Sequence, residues 1–148
     1  MTKHNATTSH PNPKSPMIAF CGILAAAILL LLLNFRFFVT SGPSMYPTYT
    51  EGTYLLASRL YSDPEVGDVV FLKYKHYYCM KRVAYTAGQD VSEGGFDGYW
   101  GSNIVPDGYV YVLGDNAAES HDSRYEDFGL VKISDIWGKP IDQREKQQ

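Results

Sequence analysis

Residues 69–85 read VVFLKYKHYYCMKRVAY. Val69–Tyr74 and Tyr77–Tyr85 are dense in β-branched and aromatic side chains, the composition of strands, and His76 in KYKHYY marks a hairpin tip between them. The same composition recurs at Thr53–Ser58 (TYLLAS), Tyr109–Leu113 (YVYVL) and Leu130–Ile133 (LVKI), each bounded by Gly, Pro or Asp. Short strands at this spacing predict a mainly β fold over residues 37–140, a small barrel-like set of folded antiparallel sheets. The Gly- and acid-rich stretch Thr86–Gly108 reads as a surface connection, and residues 141–148 read as a frayed C-terminus.

Upstream, Met17–Leu33 is MIAFCGILAAAILLLLL, 17 uncharged residues that continue through Asn34 and Phe35 until Arg36 ends the run. At ~1.5 Å per residue such a helix nearly crosses a ~30 Å hydrocarbon core. A soluble core helix of this length would carry a polar stripe, and this one has none. The run also exceeds the ~7–15 residues of a cleavable leader's apolar region, and no A-x-A site follows it. Residues 17–36 are therefore read as one N-terminal transmembrane helix that anchors the chain in the lipid bilayer. Residues 1–16, polar and Pro-rich, read as a disordered cytoplasmic tail. Lys3 and Lys14 outweigh Arg36, which favours a single-pass cell-membrane protein with its C-terminal domain outside the cytoplasm.

Composition narrows the function classes. A chain of 148 residues with 45% hydrophobic content and 12 Tyr is one folded domain rather than a disordered segment. All 16 acidic residues lie at or beyond Glu51, and residues 37–148 hold 10 basic side chains against those 16. No concentrated basic face is available, so nucleic acid is excluded as a partner. Cys21 lies inside the apolar run and Cys79 far beyond it, which argues against a structural disulfide, and two cysteines cannot build a metal cage.

Three stretches carry potential chemistry. In Ser41–Thr48, SGPSMYPT, the punctuation by Gly42, Pro43 and Pro47 forces Ser44 onto a shaped turn. A serine there is either incidental to an ordinary turn or a nucleophile in need of a base. His76 and His121 are candidates, and a Ser44–His121–Asp122 triad must be weighed, although adjacent residues in extended chain face opposite ways. Lys81 is the other candidate: a lysine buried in YYCMKRVAY would lose its proton readily, whereas one at a strand edge would simply face water. Its neighbour Arg82 is expected to point outward and stay solvated. In Gly114–Arg124, GDNAAESHDSR, Ser120 stands where a calcium loop starting at Asp115 needs glycine. Asp122 and Arg124, two apart, can form an ion pair on a face that Ser120 shares.

Taken together these stretches resemble the type I signal peptidases (leader peptidases), membrane-bound Ser/Lys endopeptidases. SGPSMYPT looks like the family's nucleophile box, Gly67–Tyr74 (GDVVFLKY) is similar to its following strand, Tyr78–Asp90 (YCMKRVAYTAGQD) to the box with the general-base lysine, and Val105–Val131 to the last box. The resemblance implies Ser44 as nucleophile, Lys81 as general base, Ser120 holding the lysine amine, and Asp122 and Arg124 bracing the turn. His121 then has no catalytic role. It also implies that signal-peptide-bearing preproteins lie extended along the strand Phe37–Ser41, with Met45, Met80, Phe38 and Thr40 walling pockets for Ala-like side chains at the first and third positions before the cut. No metal or organic cofactor is implied. Gly42 stands where some members place an oxyanion-hole serine, so a serine there should be tolerated or raise kcat if Gly42 does not need a positive φ. Ala117 replaces the usual Arg after Gly-Asp-Asn, and the Thr86–Gly108 connection is too short for the large second subdomain of some relatives. A related peptidase for pilin or conjugation factors, and a membrane-tethered non-enzymatic β-domain, are the alternatives.

Overall fold

The computed structural model of the chain describes residues 14–145 and divides into two units, an N-terminal helix and a β domain that begins at Asn34. Helix α1 spans Lys14–Asn34. Its start takes in Lys14–Pro16, assigned above to the tail, because proline in a first helical turn leaves no hydrogen bond unmade. Large apolar side chains are exposed all round it, Met17 at 63% and Leu32 at 70%. Pro16–Asn34 is long and apolar enough to cross a membrane. Residues 1–13, which hold Lys3 and most of the expected tail, lie outside the described residues.

The helix does not run to Arg36. Phe35–Val39 (FRFFV), aromatic and β-branched, forms β1, and the Arg36 guanidinium sits 5.2 Å from the Trp137 ring centroid within the β domain. The other strands are β2 (Tyr54–Ser58), β3 (Val69–Tyr74), β4 (Tyr77–Tyr85), β5 (Tyr109–Leu113), β6 (Val131–Lys132) and β7 (Ile136–Pro140). They form one sheet in the order β1-β2-β7-β3-β4-β5-β6, with every pairing antiparallel. The fold is mainly β with one N-terminal apolar helix, as expected from composition.

Strand β3 explains the layering. Val69 and Phe71 face a core with Met45, Tyr49, Leu55 and Met80, whereas Val70 and Leu72 face a second core with Val83, Val110, Val112 and Ile136. The two-residue period of a strand sends neighbours to opposite faces, and β3 is apolar on both because both are covered.

Three local expectations change. The strand expected at Phe37–Ser41 ends at Val39: the Thr40 N–H still donates to Thr53 O (3.0 Å), but Thr40 O takes the Gly52 N–H (2.9 Å) and the Thr53 N–H turns to the Thr40 hydroxyl (2.9 Å), so the reciprocal rung is not made. Thr86–Gly108 is more than a surface connection: Val91 and Val105 are fully buried against Tyr111, with Tyr85, Phe96 and Trp100 around them. The frayed end expected for residues 141–148 does not hold for Asp142–Arg144, which bond to Tyr49, Thr48 and Val69, while residues 146–148 lie outside the described residues.

Candidate active site

Ser44 sits on the double turn that follows β1. Gly42 opens it with φ +81°, the Tyr46 N–H donates to Pro43 O (3.0 Å), and the Tyr49 N–H donates to Met45 O (2.9 Å). The positive φ removes the condition under which serine at this position was expected to be tolerated. A Cβ on Gly42 would meet nothing within 4 Å, so the obstacle is conformational rather than steric.

Lys81 comes from β4, directly opposite Val70 on β3, between Cys79 and Val83 on a face that packs into the second core. It is 4% exposed, and among the described residues no hydrogen bond or ion pair holds its side chain. Burial lowers its pKa below the ordinary lysine value. The Asp122 charge opposes that shift, and the Arg124 charge adds to it. Burial likewise pushes the neighbouring Cys79 thiol up to about 11, so it stays protonated.

Ser44 and Lys81 line one cavity of about 520 Å³, and Phe38, Thr40, Met45 and Met80 line it as well. Phe38 is fixed by stacking on Phe71 at 4.1 Å and by edge contacts with Tyr78 and Trp137. Thr40 presents its carbons rather than its hydroxyl, which accepts the Thr53 N–H (2.9 Å) while donating to Thr50 O.

The loop after β5 closes the site from behind. The Asn116 N–H donates to Ser44 O (3.0 Å). Gly114 makes that approach possible: a Cβ there would come within 2.2 Å of Ser120 Oγ and 2.6 Å of Ser44 O. The Asp122 carboxylate is fully buried. It accepts the Gly114 N–H (2.9 Å) and two guanidinium bonds from Arg124 (2.8 and 2.9 Å). Burial alone would raise the Asp122 pKa, but the Arg124 and Gly114 hydrogen bonds outweigh it and hold the carboxyl below its ordinary value. Arg124 also donates to Ala117 O (2.9 Å) and Ser120 O (3.2 Å), which fixes the turn between them. Ser120 Oγ is buried and has no hydrogen-bond partner among the described residues.

The histidine triad is not assembled. Both Asp122 oxygens are committed to Arg124 and Gly114, and His121 turns the other way, with Nε2 3.1 Å from Asp127 and its ring tilted against Tyr125, centroids 4.6 Å apart. His121 lines the cavity wall without an Asp122 partner.

One pair was missed in the sequence. Arg82 is not solvated: it makes a two-pronged pair with Asp115, both bonds 2.7 Å, with side chains only 11% and 1% exposed, and donates to Gly67 O. The available signal was two adjacent cations in an apolar strand, which must enter opposite faces, and an aspartate in the Gly-Asp-Asn turn ready to receive the second. Among the described residues no group of three His, Cys, Asp or Glu side chains is placed to hold a metal.

A family model described as "Signal peptidase, peptidase S26" matches residues 14–95 and 91–141. The chain is 31% identical over 158 aligned positions to Signal peptidase I of Bacillus caldolyticus, covering 81% of this chain and 84% of that protein. It is also 31% identical over 102 positions to Mitochondrial inner membrane protease subunit 1 of Mus musculus, covering 62% of this chain and 61% of that protein. The matched segments run through the Ser44 turn, β4 and the loop after β5, and the chain belongs to the signal peptidase family, peptidase S26, a family of serine-type peptidases.

Proposed function

We propose that the chain is a membrane-anchored endopeptidase that frees secreted preproteins from their signal peptides with a Ser44/Lys81 dyad. The observation that carries this reading is a buried lysine that has no counter-ion among the described residues, in the same cavity as a serine held on a hydrogen-bonded turn. Burial of a charge is tolerated when it is paired, and an unpaired buried lysine sheds its proton instead. Its neutral amine then takes the Ser44 proton as Oγ attacks the scissile carbonyl, and returns that proton to the departing amine. The same amine activates the water that hydrolyses the acyl-enzyme. The unpartnered Ser120 hydroxyl is suited to orient the amine, and the Ser44 amide to stabilise the oxyanion. Asp122 and Arg124 brace the loop and touch no reacting atom.

The substrate adds to the outer edge of β1, whose inner edge is paired with β2. Its side chains at the first and third positions before the cut enter the space bounded by Phe38, Met45, Met80 and the carbon side of Thr40. Helix α1 spans the bilayer with the N-terminus cytoplasmic, so that cleavage follows translocation. Ser/Lys chemistry of this kind needs no metal or organic cofactor.

The test is cleavage of a model preprotein with an Ala-x-Ala site by the full chain in detergent. Wild type is expected to cut at that site, with Ser44→Ala and Lys81→Ala at least about a thousandfold slower and still folded. Preference for a pilin precursor over that preprotein would favour the specialised peptidase, and cleavage of neither would favour the binding module. Protease added outside spheroplasts should digest the β domain; protection of that domain would overturn the orientation.

A further inference from the structure

We infer that the C-terminal segment Asp142–Arg144 is a clamp that holds the Ser44 turn in register with the strand pair carrying Lys81, acting through Tyr49. This rests on the peptidase reading above.

Tyr49 closes the Ser44 turn through its N–H bond to Met45 O, is 1% exposed, and lines the cavity shared by Ser44 and Lys81. Its hydroxyl donates to Asp142 O (2.7 Å) and accepts the Arg144 N–H (3.0 Å). The Arg144 guanidinium lies 5.0 Å from the Tyr49 ring centroid and donates to Thr48 O (3.3 Å) and to the Asp142 carboxylate (2.8 Å). Two of the three residues thus grip the turn from its far side.

Gln143, between them, grips something else. Its Oε1 accepts the Val69 N–H (2.7 Å), and its Nε2 donates to Val69 O (3.0 Å) and Pro140 O (3.0 Å). The side-chain amide therefore stands in for a neighbouring strand at the start of β3. Val69 is followed by Val70, the cross-strand partner of Lys81. Three consecutive residues connect the element bearing the nucleophile to the strand pair bearing the base. Displacements of about 1 Å in such constellations cost about a hundredfold in rate, so a short segment with little buried apolar area of its own can matter for kcat. These are positioning residues, not catalytic ones.

The experiment compares the full chain in detergent with Gln143→Ala, Arg144→Ala, Tyr49→Phe and the double variant Tyr49→Phe/Arg144→Ala. Tyr49→Phe keeps the buried ring and removes both hydroxyl bonds, so it tests the clamp without opening a cavity. Each single variant is expected to lower kcat about fivefold or more at a temperature well below its melting midpoint, with KM within about twofold and the acid limb of the pH profile unmoved. The double variant should be no worse than the weaker single, the non-additivity expected of residues acting through one another. Hydrogen exchange at the Tyr49 amide should quicken in all four. Wild-type kcat with a lowered melting midpoint, or losses that multiply in the double variant, would overturn the proposal. Faster exchange in a protein with no peptidase activity at all would sink the peptidase reading while supporting the clamp.

Discussion

Replacing Asp115 with alanine leaves the Arg82 guanidinium buried without its counter-ion. The two side chains are 11% and 1% exposed and are joined by two bonds of 2.7 Å, which puts the pair with buried rather than surface ion pairs. Exposed pairs contribute ~0–1 kcal/mol, whereas removing one partner of a buried pair costs ~3–5 kcal/mol because the other charge is stranded. Set against the ~5–15 kcal/mol stability of ordinary domains, the loss would remove a large part of the margin. For a domain of this size it corresponds to a fall of roughly 10–20 °C in melting midpoint. The assay is thermal and urea unfolding of the full chain in detergent, followed by circular dichroism. Arg82→Met combined with Asp115→Leu should recover most of the loss, since replacing both charges with apolar groups strands neither. Asp127→Ala, which breaks only exposed contacts to Lys75 and His121, should cost less than ~1 kcal/mol. An Asp115→Ala loss below ~1 kcal/mol, or a double variant no better than the single, would refute the reasoning.

Three other outcomes are expected. Gly42→Ser should lose ~1 kcal/mol of stability and not gain activity, because the residue must adopt φ +81°, and a higher kcat at unchanged melting midpoint would contradict this. Preproteins with Leu at the first or third position before the cut should be processed at least about a hundredfold more slowly than those with Ala, measured by gel or mass spectrometry, because the wall formed by Phe38 and Met80 is held by packing. Lys81→Met should be inactive yet more stable than wild type at neutral pH. The Lys81 pKa is depressed in the folded state, so burying its charge is free of cost above the unfolded value of ~10.4. The cost grows as pH falls from ~10.4 to the folded pKa and is constant below. The stability advantage of Lys81→Met in melts should therefore shrink as pH rises toward ~10.4, and an advantage independent of pH would refute the linkage.

Much of this was legible because it is local. The β3–β4 hairpin declared itself by composition and the Ser44 turn by its glycine and prolines, while the aromatic and aliphatic neighbours of Lys81 allowed its burial without deciding between that and a strand edge facing water. The Asp122–Arg124 pair was legible from a two-residue spacing, although the two residues sit in a turn rather than extended chain and the Arg124 N–H also donates to the Asp122 carboxylate. What was hidden depended on partners distant in sequence. Strand β7, IWGKP, contains Gly138 and Pro140, both poor strand formers, and exists because β2 and β3 leave a slot into which Ala57 and Phe71 pair it. Arg82 looked solvated because its partner lies 33 residues ahead. The C-terminal DQR looked frayed because its stability comes from Tyr49 and Val69, more than 70 residues back. The positive φ of Gly42 could be allowed by the sequence but not required by it.

The pH dependence of kcat/KM on a model preprotein tests the dyad most directly. If the neutral amine of Lys81 is the base, the profile falls tenfold per pH unit on its acid side. That limb should lie below the ~10.4 of a free lysine and should persist unmoved in His121→Gln, while Lys81→Ala leaves no activity to profile. Loss of the limb in His121→Gln, or continued cleavage by Lys81→Ala, would contradict the assignment and return the base to histidine.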